Sequence, residues 1–153
     1  PLIRLYNTGE KQKILQVEDY RGMKLKGKLD NINVEEGFIS DIKTTANIET
    51  FEPGGYATQL TMYGLMAEMI YQKPFRLFLL VGDKYSDYAR SEVFEMSETT
   101  RMMALDKIHN ALDLIKDRME YNTWAIPQDR RAIFGTALYR HMPNYEIKEP
   151  IQF

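Results

Sequence analysis

Apolar residues alternate loosely with polar ones from Gln12 to Tyr20, where Ile14, Leu15 and Val17 stand among lysine, glutamine and glutamate. That spacing predicts a strand ending before the turn at Arg21-Gly22. Lys24 to Val34 predicts a second strand, with Leu25, Gly27 and Leu29 on one face and Lys24, Lys26, Lys28 and Asp30 on the other. Glu35-Glu36-Gly37 supplies turn chemistry, since Gly37 is free to take positive φ, and Phe38 to Thr44 predicts a short third strand. The three form an antiparallel meander. Beyond Pro53-Gly54-Gly55 the period lengthens: Tyr56, Leu60, Tyr63, Ala67 and Ile70 recur every three to four residues, an amphipathic helix to about Tyr71, closed off by Pro74. Phe75 to Val81 is nearly continuous apolar sequence of strand length, which predicts a central strand covered on both faces. Ala89 to Met96 is a weaker strand. Ser97 then caps a long helix whose stripe, Met102, Leu105, Ile108, Leu112, Ile115 and Met119, reads as core packing.

The 153 residues, 44% hydrophobic and 27% charged, suffice for one packed core and are short for two, so the chain reads as a single domain with its core at about 12–120. From Tyr121 onward Trp124, Pro127, Pro143 and Pro150 punctuate a stretch without sustained period, an irregular tail over 121–153 with a short helix near Ala132 to Arg140. The order βββαββα plus tail gives an α/β or α+β domain with a mixed sheet. A net charge of -2 excludes a strongly basic nucleic-acid binder, so any contact with nucleic acid must be local. With no cysteine, a disulfide framework, a thiolate zinc site, an iron–sulfur cluster and a cysteine nucleophile are excluded. The longest apolar runs are too short to span a bilayer and Pro-Leu-Ile-Arg lacks a signal-peptide pattern, so a cytoplasmic protein without a membrane partner is expected. The start at Pro1, without methionine, reads as a processed chain or as a fragment lacking an N-terminal region.

The candidate chemistry lies in Gly27-Lys-Leu-Asp30 and Ile39-Ser-Asp41-Ile-Lys43. A hairpin closed by the four-residue loop Val34 to Gly37 places Asp30 directly across from Asp41, with Cβ atoms roughly 4.5–5.5 Å apart. Directly opposed like charges destabilise a sheet and ask for a counter-cation, and a hard divalent ion with oxygen ligands suits two carboxylates. Lys43, two residues after Asp41, points to the same face, where its ammonium can orient or deprotonate water or stabilise a charged oxygen at phosphorus. The triplet alone carries little, because an acid-x-Lys spacing is expected about 1.6 times by chance in such a composition, and it also occurs at Glu146-Ile-Lys148. Strand context and hairpin register set the first triplet apart. Gln59 and Tyr63, at i and i+4 of the first long helix, share a face and can reach a common ligand, although a core role for Tyr63 competes. Lys24, Lys26 and Lys28 either track a phosphate backbone or protect an exposed strand from aggregation. His109 in the long helix and His141 in the tail lack partners of a metal site, and Gly54-Gly55 lacks the lysine of a phosphate loop.

These segments, Leu25-Lys-Gly-Lys-Leu-Asp30-Asn-Ile, Phe38-Ile-Ser-Asp41-Ile-Lys43-Thr-Thr and Tyr56-Ala-Thr-Gln59-Leu-Thr-Met-Tyr63, resemble the PD-(D/E)XK nuclease superfamily, and within it the RecE-type (exonuclease VIII-like) and RecB-type modules. The resemblance covers about 24–81 in order and spacing. It implies a restriction-endonuclease-like core, Asp30 and Asp41 as ligands of magnesium or manganese with the Ile42 carbonyl as another, Lys43 as catalytic lysine, and Gln59 and Tyr63 as phosphate-binding or site-organising residues. It further implies a metal-dependent exonuclease of phage or bacterial recombination acting on double-stranded DNA with free ends, with a single-strand annealing protein and further copies of itself as partners. Members usually carry a helix before the first core strand, often with an extra acidic or histidine ligand, and only about eleven residues precede Gln12 here. Two rivals therefore stand beside the exonuclease: a non-catalytic DNA-binding or structural module of the same fold, and an endonuclease domain of a restriction or helicase–nuclease system.

Overall fold

The structure is a computed structural model and describes residues 2–85 and 90–121. Two compact units divide the chain, residues 1–113 and 114–153. The first unit holds α1 (Leu2–Asn7), β1 (Glu10–Tyr20), β2 (Met23–Asn33), β3 (Phe38–Thr45), α2 (Ala57–Tyr71), β4 (Arg76–Asp83), β5 (Ser91–Glu95) and most of α3 (Glu98–Tyr121). Two 3-10 turns, Ile48–Thr50 and Pro53–Tyr56, connect β3 to α2. The expected tail, with its short helix, Trp124, His141 and Glu146-Ile-Lys148, lies outside the described residues. Among the described residues no helix is long and apolar enough to cross a membrane.

The five strands form one mixed sheet in the order β1-β2-β3-β4-β5, antiparallel throughout except for the parallel pair β3–β4. A parallel pair needs a long crossover, and α2 supplies it. The β2–β3 hairpin has the expected register: Asn33 pairs with Phe38, Ile32 with Ile39 and Asn31 with Ser40. Its turn is fixed by chemistry the sequence displays, with Gly37 at φ 71° donating its N–H to Asn33 O at 2.9 Å, and Glu36 N donating to Asn33 Oδ1 at 2.9 Å.

Burial follows the two-residue period of strands along β4. Leu77, Leu79 and Val81 enter the main core with Ile39, Leu60, Met66 and Ala67, and with Ile108 and Leu112 of α3. Phe78 and Leu80 point the other way, into a smaller cluster with Phe38, Leu5 and Val93. β4 is thus covered on both faces, as its continuous apolar run predicts, although β3 rather than β4 is the middle strand. Gly27 lets β2 pack closely under α2: a Cβ there would stand 2.6 Å from Met66 Cε and 3.0 Å from Tyr63 Cε1.

Three features depart from the sequence reading. The N-terminal residues form α1, a six-residue helix, where no element was expected. Along α3 the buried positions are Ala104, Ile108 and Leu112, while Met102 is 61% and Met119 58% exposed. The stripe is therefore shorter than drawn, because its buried positions start from Ala104, not from Met102. His109, by contrast, is packed as a lone helix histidine commonly is, its Nε2 lying 2.6 Å from the Tyr20 hydroxyl. Finally, the simple alternation expected along β2 does not hold to its end. Leu29 and Ile32 are three residues apart yet both enter the main core, so the faces slip by one place between them. Lys24, Lys26 and Lys28 are exposed opposite Leu25 and Leu29, and Asp30 lies at the slip, not on a continuous lysine face.

A candidate two-carboxylate site

The β2–β3 ladder stops at Asn31 and Ser40. One step further on, where the strands part, the Asp30 and Asp41 carboxyls lie close enough to interact, and a side chain takes over from the backbone: Ile42 N donates to Asp30 Oδ2 at 3.0 Å. The other carboxylate oxygen of Asp30 accepts from Gln12 Nε2 at 3.2 Å. Asp41 is only 3% exposed, while the Ile42 side chain projects away and is 37% exposed.

Lys43 Nζ lies 2.7 Å from Asp41 Oδ2, yet this buried oxygen has no well-directed hydrogen bond. The contact is an ion pair of poor angular geometry, and the Asp41 carboxyl is also close enough to Asp30 to interact with it. Burial raises the Asp41 carboxyl above its ordinary range; Lys43 offsets part of that effect and the neighbouring Asp30 charge adds to it. The Lys43 ammonium also meets Gln59 Oε1 at 3.4 Å and sits 4.9 Å from the centroid of the Tyr56 ring. Gln59 Nε2 in turn donates to the Tyr63 hydroxyl at 2.8 Å, the i, i+4 contact that the helical period places on one face. Tyr56 is itself fixed by stacking on Phe51, with centroids 5.5 Å apart and planes at 9°.

The structure therefore brings Asp30, Asp41, Ile42, Lys43, Gln59 and Tyr63 together around the middle of β3 and the first turns of α2. Lys24, Lys26 and Lys28 stay on the exposed face of the β1–β2 ribbon, where Lys24 pairs with Glu18 at 2.9 Å. Two residues not singled out as functional from the sequence join the group, Gln12 beside Asp30 and Tyr56 beside Lys43. Tyr56 stands one helical turn before Gln59 and could have been found by that spacing; Gln12 carries no such signal.

Comparison with known proteins bears on the fold that carries these residues. Residues 2–130 match the family described as a PDDEXK-like domain of unknown function (DUF3799). The chain belongs to that family. Its PD-(D/E)XK-like fold is shared with the crystal structure of a candidate exonuclease from Eubacterium rectale, at a TM-score of 0.73 and 19% sequence identity. That likeness covers 96% of this chain and 56% of the other, so the PD-(D/E)XK-like chain spans little more than half the length of that relative. The crystal structure of SSO0001 aligns over 69% of this chain and 51% of its own, with 18% identity and a TM-score of 0.40, too distant to bear on the fold. No curated protein sequence matches.

PD-(D/E)XK nucleases generally use divalent metals, and the donors here can be judged against that requirement. Asp30 and Asp41 offer hard carboxylate oxygens side by side, the Ile42 carbonyl is adjacent, and the buried Asp41 Oδ2, without a well-directed hydrogen bond, suits a hard cation. The set fits such an ion and is sparse: among the described residues no group of three His, Cys, Asp or Glu side chains converges. A hard divalent ion that keeps several waters is compatible with two carboxylates.

Proposed function

We propose that this chain is a divalent-metal-dependent DNA nuclease, an exonuclease acting on double-stranded DNA from free ends. The observation that carries the reading is Asp41: a buried carboxylate, opposed by a second carboxylate, with an oxygen left without a directed partner and a lysine against it. A protein that needed only a stable hairpin would have no use for this arrangement, which costs desolvation and like-charge repulsion. Membership of the PD-(D/E)XK-like family and the exonuclease description of the structural relative support the choice of substrate class.

In this reading Asp30, Asp41 and the Ile42 carbonyl hold magnesium or manganese, which when bound supplies Lewis-acid polarisation of a phosphodiester and a more acidic water. Lys43 contributes the positive charge that meets the developing negative charge on phosphorus-bound oxygen. Gln59 and Tyr56 hold that ammonium between them, and Tyr63 fixes the Gln59 amide so that its oxygen faces Lys43. Lys24, Lys26 and Lys28, on an exposed ribbon, serve as phosphate contacts for the duplex at a distance from the reacting bond. Replacing all three with glutamine should weaken binding equally for all sequences and flatten the slope of log affinity against log salt; an unchanged slope leaves only strand protection as their role.

The sparse donor set favours a second reading, a DNA-binding module that keeps the fold without the chemistry. One experiment separates them. Linear and circular duplex DNA is incubated with the purified chain in magnesium, calcium or chelator, with Lys43→Ala alongside. Loss of linear DNA alone in magnesium, absent in Lys43→Ala, supports the exonuclease; cutting of circles indicates an endonuclease; binding without cleavage indicates the module.

A further inference from the structure

The β1–β2 ladder pairs Lys11 with Asn31 and Lys13 with Leu29, and skips the pair between them, Gln12 with Asp30. At that gap Gln12 has φ 53°, in the left-handed region that side chains other than glycine, asparagine and aspartate seldom adopt. The other two such residues among those described end elements, Arg21 in the β1–β2 turn and Gln72 at the C-cap of α2, where this conformation is common. Gln12 instead stands inside a strand, where neither a turn nor a cap asks for it.

The effect of the conformation is local and specific. It breaks the backbone pairing opposite Asp30 and lets the Gln12 carboxamide donate to Asp30 Oδ1 at 3.2 Å, while Ile42 N donates to Oδ2 at 3.0 Å. Both oxygens of Asp30 are thus engaged from two directions. Two opposed carboxylates left to themselves would turn apart, and donors on one of them both reduce the repulsion and fix its orientation. A glycine at position 12 would meet the backbone requirement without strain, so the residue actually present is distinguished by its side chain alone.

We propose that Gln12 is a positioning residue of the two-carboxylate site, its left-handed backbone carrying the carboxamide to where it holds Asp30 opposite Asp41 for a divalent cation. This rests on the reading of Asp30 and Asp41 as metal ligands. Side chains that orient a ligand in this way are commonly worth about 10- to 100-fold in metal affinity. Gln12 should fall in that range without touching the metal itself.

The test compares wild type, Gln12→Gly and Asp30→Asn by magnesium titration, followed by calorimetric binding below the melting range and by melting temperature from chelator to saturating magnesium. Gln12→Gly is expected to melt in chelator close to wild type, because relief of backbone strain offsets the lost hydrogen bond and the looser unfolded chain, and to need about tenfold more magnesium or greater for half-saturation. Asp30→Asn should lose most of the magnesium response. If Gln12→Gly binds magnesium as wild type does while Asp30→Asn fails to, the positioning role is wrong and the metal site stands. If wild type and Asp30→Asn respond alike to magnesium, the paired-carboxylate site falls and the role of Gln12 falls with it.

Discussion

Two neighbouring rungs of the β2–β3 hairpin handle buried polarity in opposite ways. At the first, Asn31 and Ser40 are both fully buried and both satisfied: Asn31 Nδ2 donates to Ser40 Oγ at 2.9 Å and to Leu5 O at 2.8 Å, Ser40 Oγ donates to Leu5 O at 3.0 Å, and Lys11 Nζ donates to Asn31 Oδ1 at 2.8 Å. At the next, Asp30 faces Asp41, two acids whose charges repel, and one oxygen of Asp41 finds no directed hydrogen bond. The first rung is what a fold does with polar groups when it needs only to bury them. The second keeps an unfavourable arrangement one residue away, where amides and hydroxyls of the same size were available. Strain that a neighbouring rung so plainly avoids points to a site.

The contrast can be broken most forcefully at its chemical end. Lys43→Ala and Asp30→Asn should each lower the rate of linear-duplex degradation by roughly 100-fold or more, with circular dichroism and melting showing an intact fold. Turnover near wild type in either variant would remove that residue from the mechanism. Stability should then move in opposite directions at the two rungs. Asn31→Ala strands the buried partners of a satisfied network and should cost about 1–3 kcal/mol in urea unfolding, leaving any magnesium-dependent stabilisation in place. Asp30→Asn removes a like-charge contact and, in chelator, should gain on the order of 1 kcal/mol or at least lose nothing. If both variants are destabilised alike, the two rungs do not differ as described.

A smaller effect concerns acid. Burial raises the folded-state carboxyl of Asp41 above its ordinary value of 3.8, so in that window the folded protein holds a proton that the unfolded chain has released. Its contribution to stability is complete below the unfolded value and disappears as pH rises through the folded one. In chelator, Asp41→Asn should therefore remove a downward slope of stability with rising pH just above pH 3.8. The Arg76–Glu95 pair gives the smallest effect and the opposite sign. Arg76 Nε and Glu95 Oε1 lie 2.7 Å apart on the surface, and Arg76 holds the Glu95 carboxyl below its ordinary range. Its stabilisation is present at neutral pH, lost as pH falls through the folded value, and weakened by salt. Glu95→Gln should change the urea midpoint at neutral pH by little more than the error of measurement and not at all in strong acid.

The satisfied rung and the strained rung were not equally legible in the sequence. Asp30 opposite Asp41 follows from the length of the Val34–Gly37 turn and from Gly37, because a hairpin register is set locally. The helical spacing of Gln59 and Tyr63 is likewise local, as is the doubly apolar run of β4. Asn31 and Ser40 gave no sign of their network, since its acceptor is the backbone carbonyl of Leu5, contributed by a helix too short to show a period. The slip of faces at Asp30 was hidden for a related reason. Glutamine has no preference for the left-handed region, so nothing at Gln12 announces that the ladder will skip a pair. Met102 was misplaced because a three-to-four-residue stripe admits more than one starting point, and only packing chooses among them.

The short turn between β2 and β3 also bears on the order in which the site comes into being. Asp30 and Asp41 can meet as soon as a local hairpin closes, whereas β3 cannot pair with β4 until the α2 crossover has been laid down. Early in folding the two carboxylates are still bathed in water, where their repulsion is weak; it grows only when the surrounding elements, α2 among them through the Gln59 contact with Lys43, pack and Asp41 leaves solvent. The penalty of the pair thus belongs to a late event, after the rate-limiting barrier if that barrier is crossed with the hairpin formed and the helix undocked. Stopped-flow unfolding in chelator would then show Asp30→Asn unfolding more slowly than wild type while refolding at the same rate, whereas faster refolding with unchanged unfolding would place helix docking before the barrier instead.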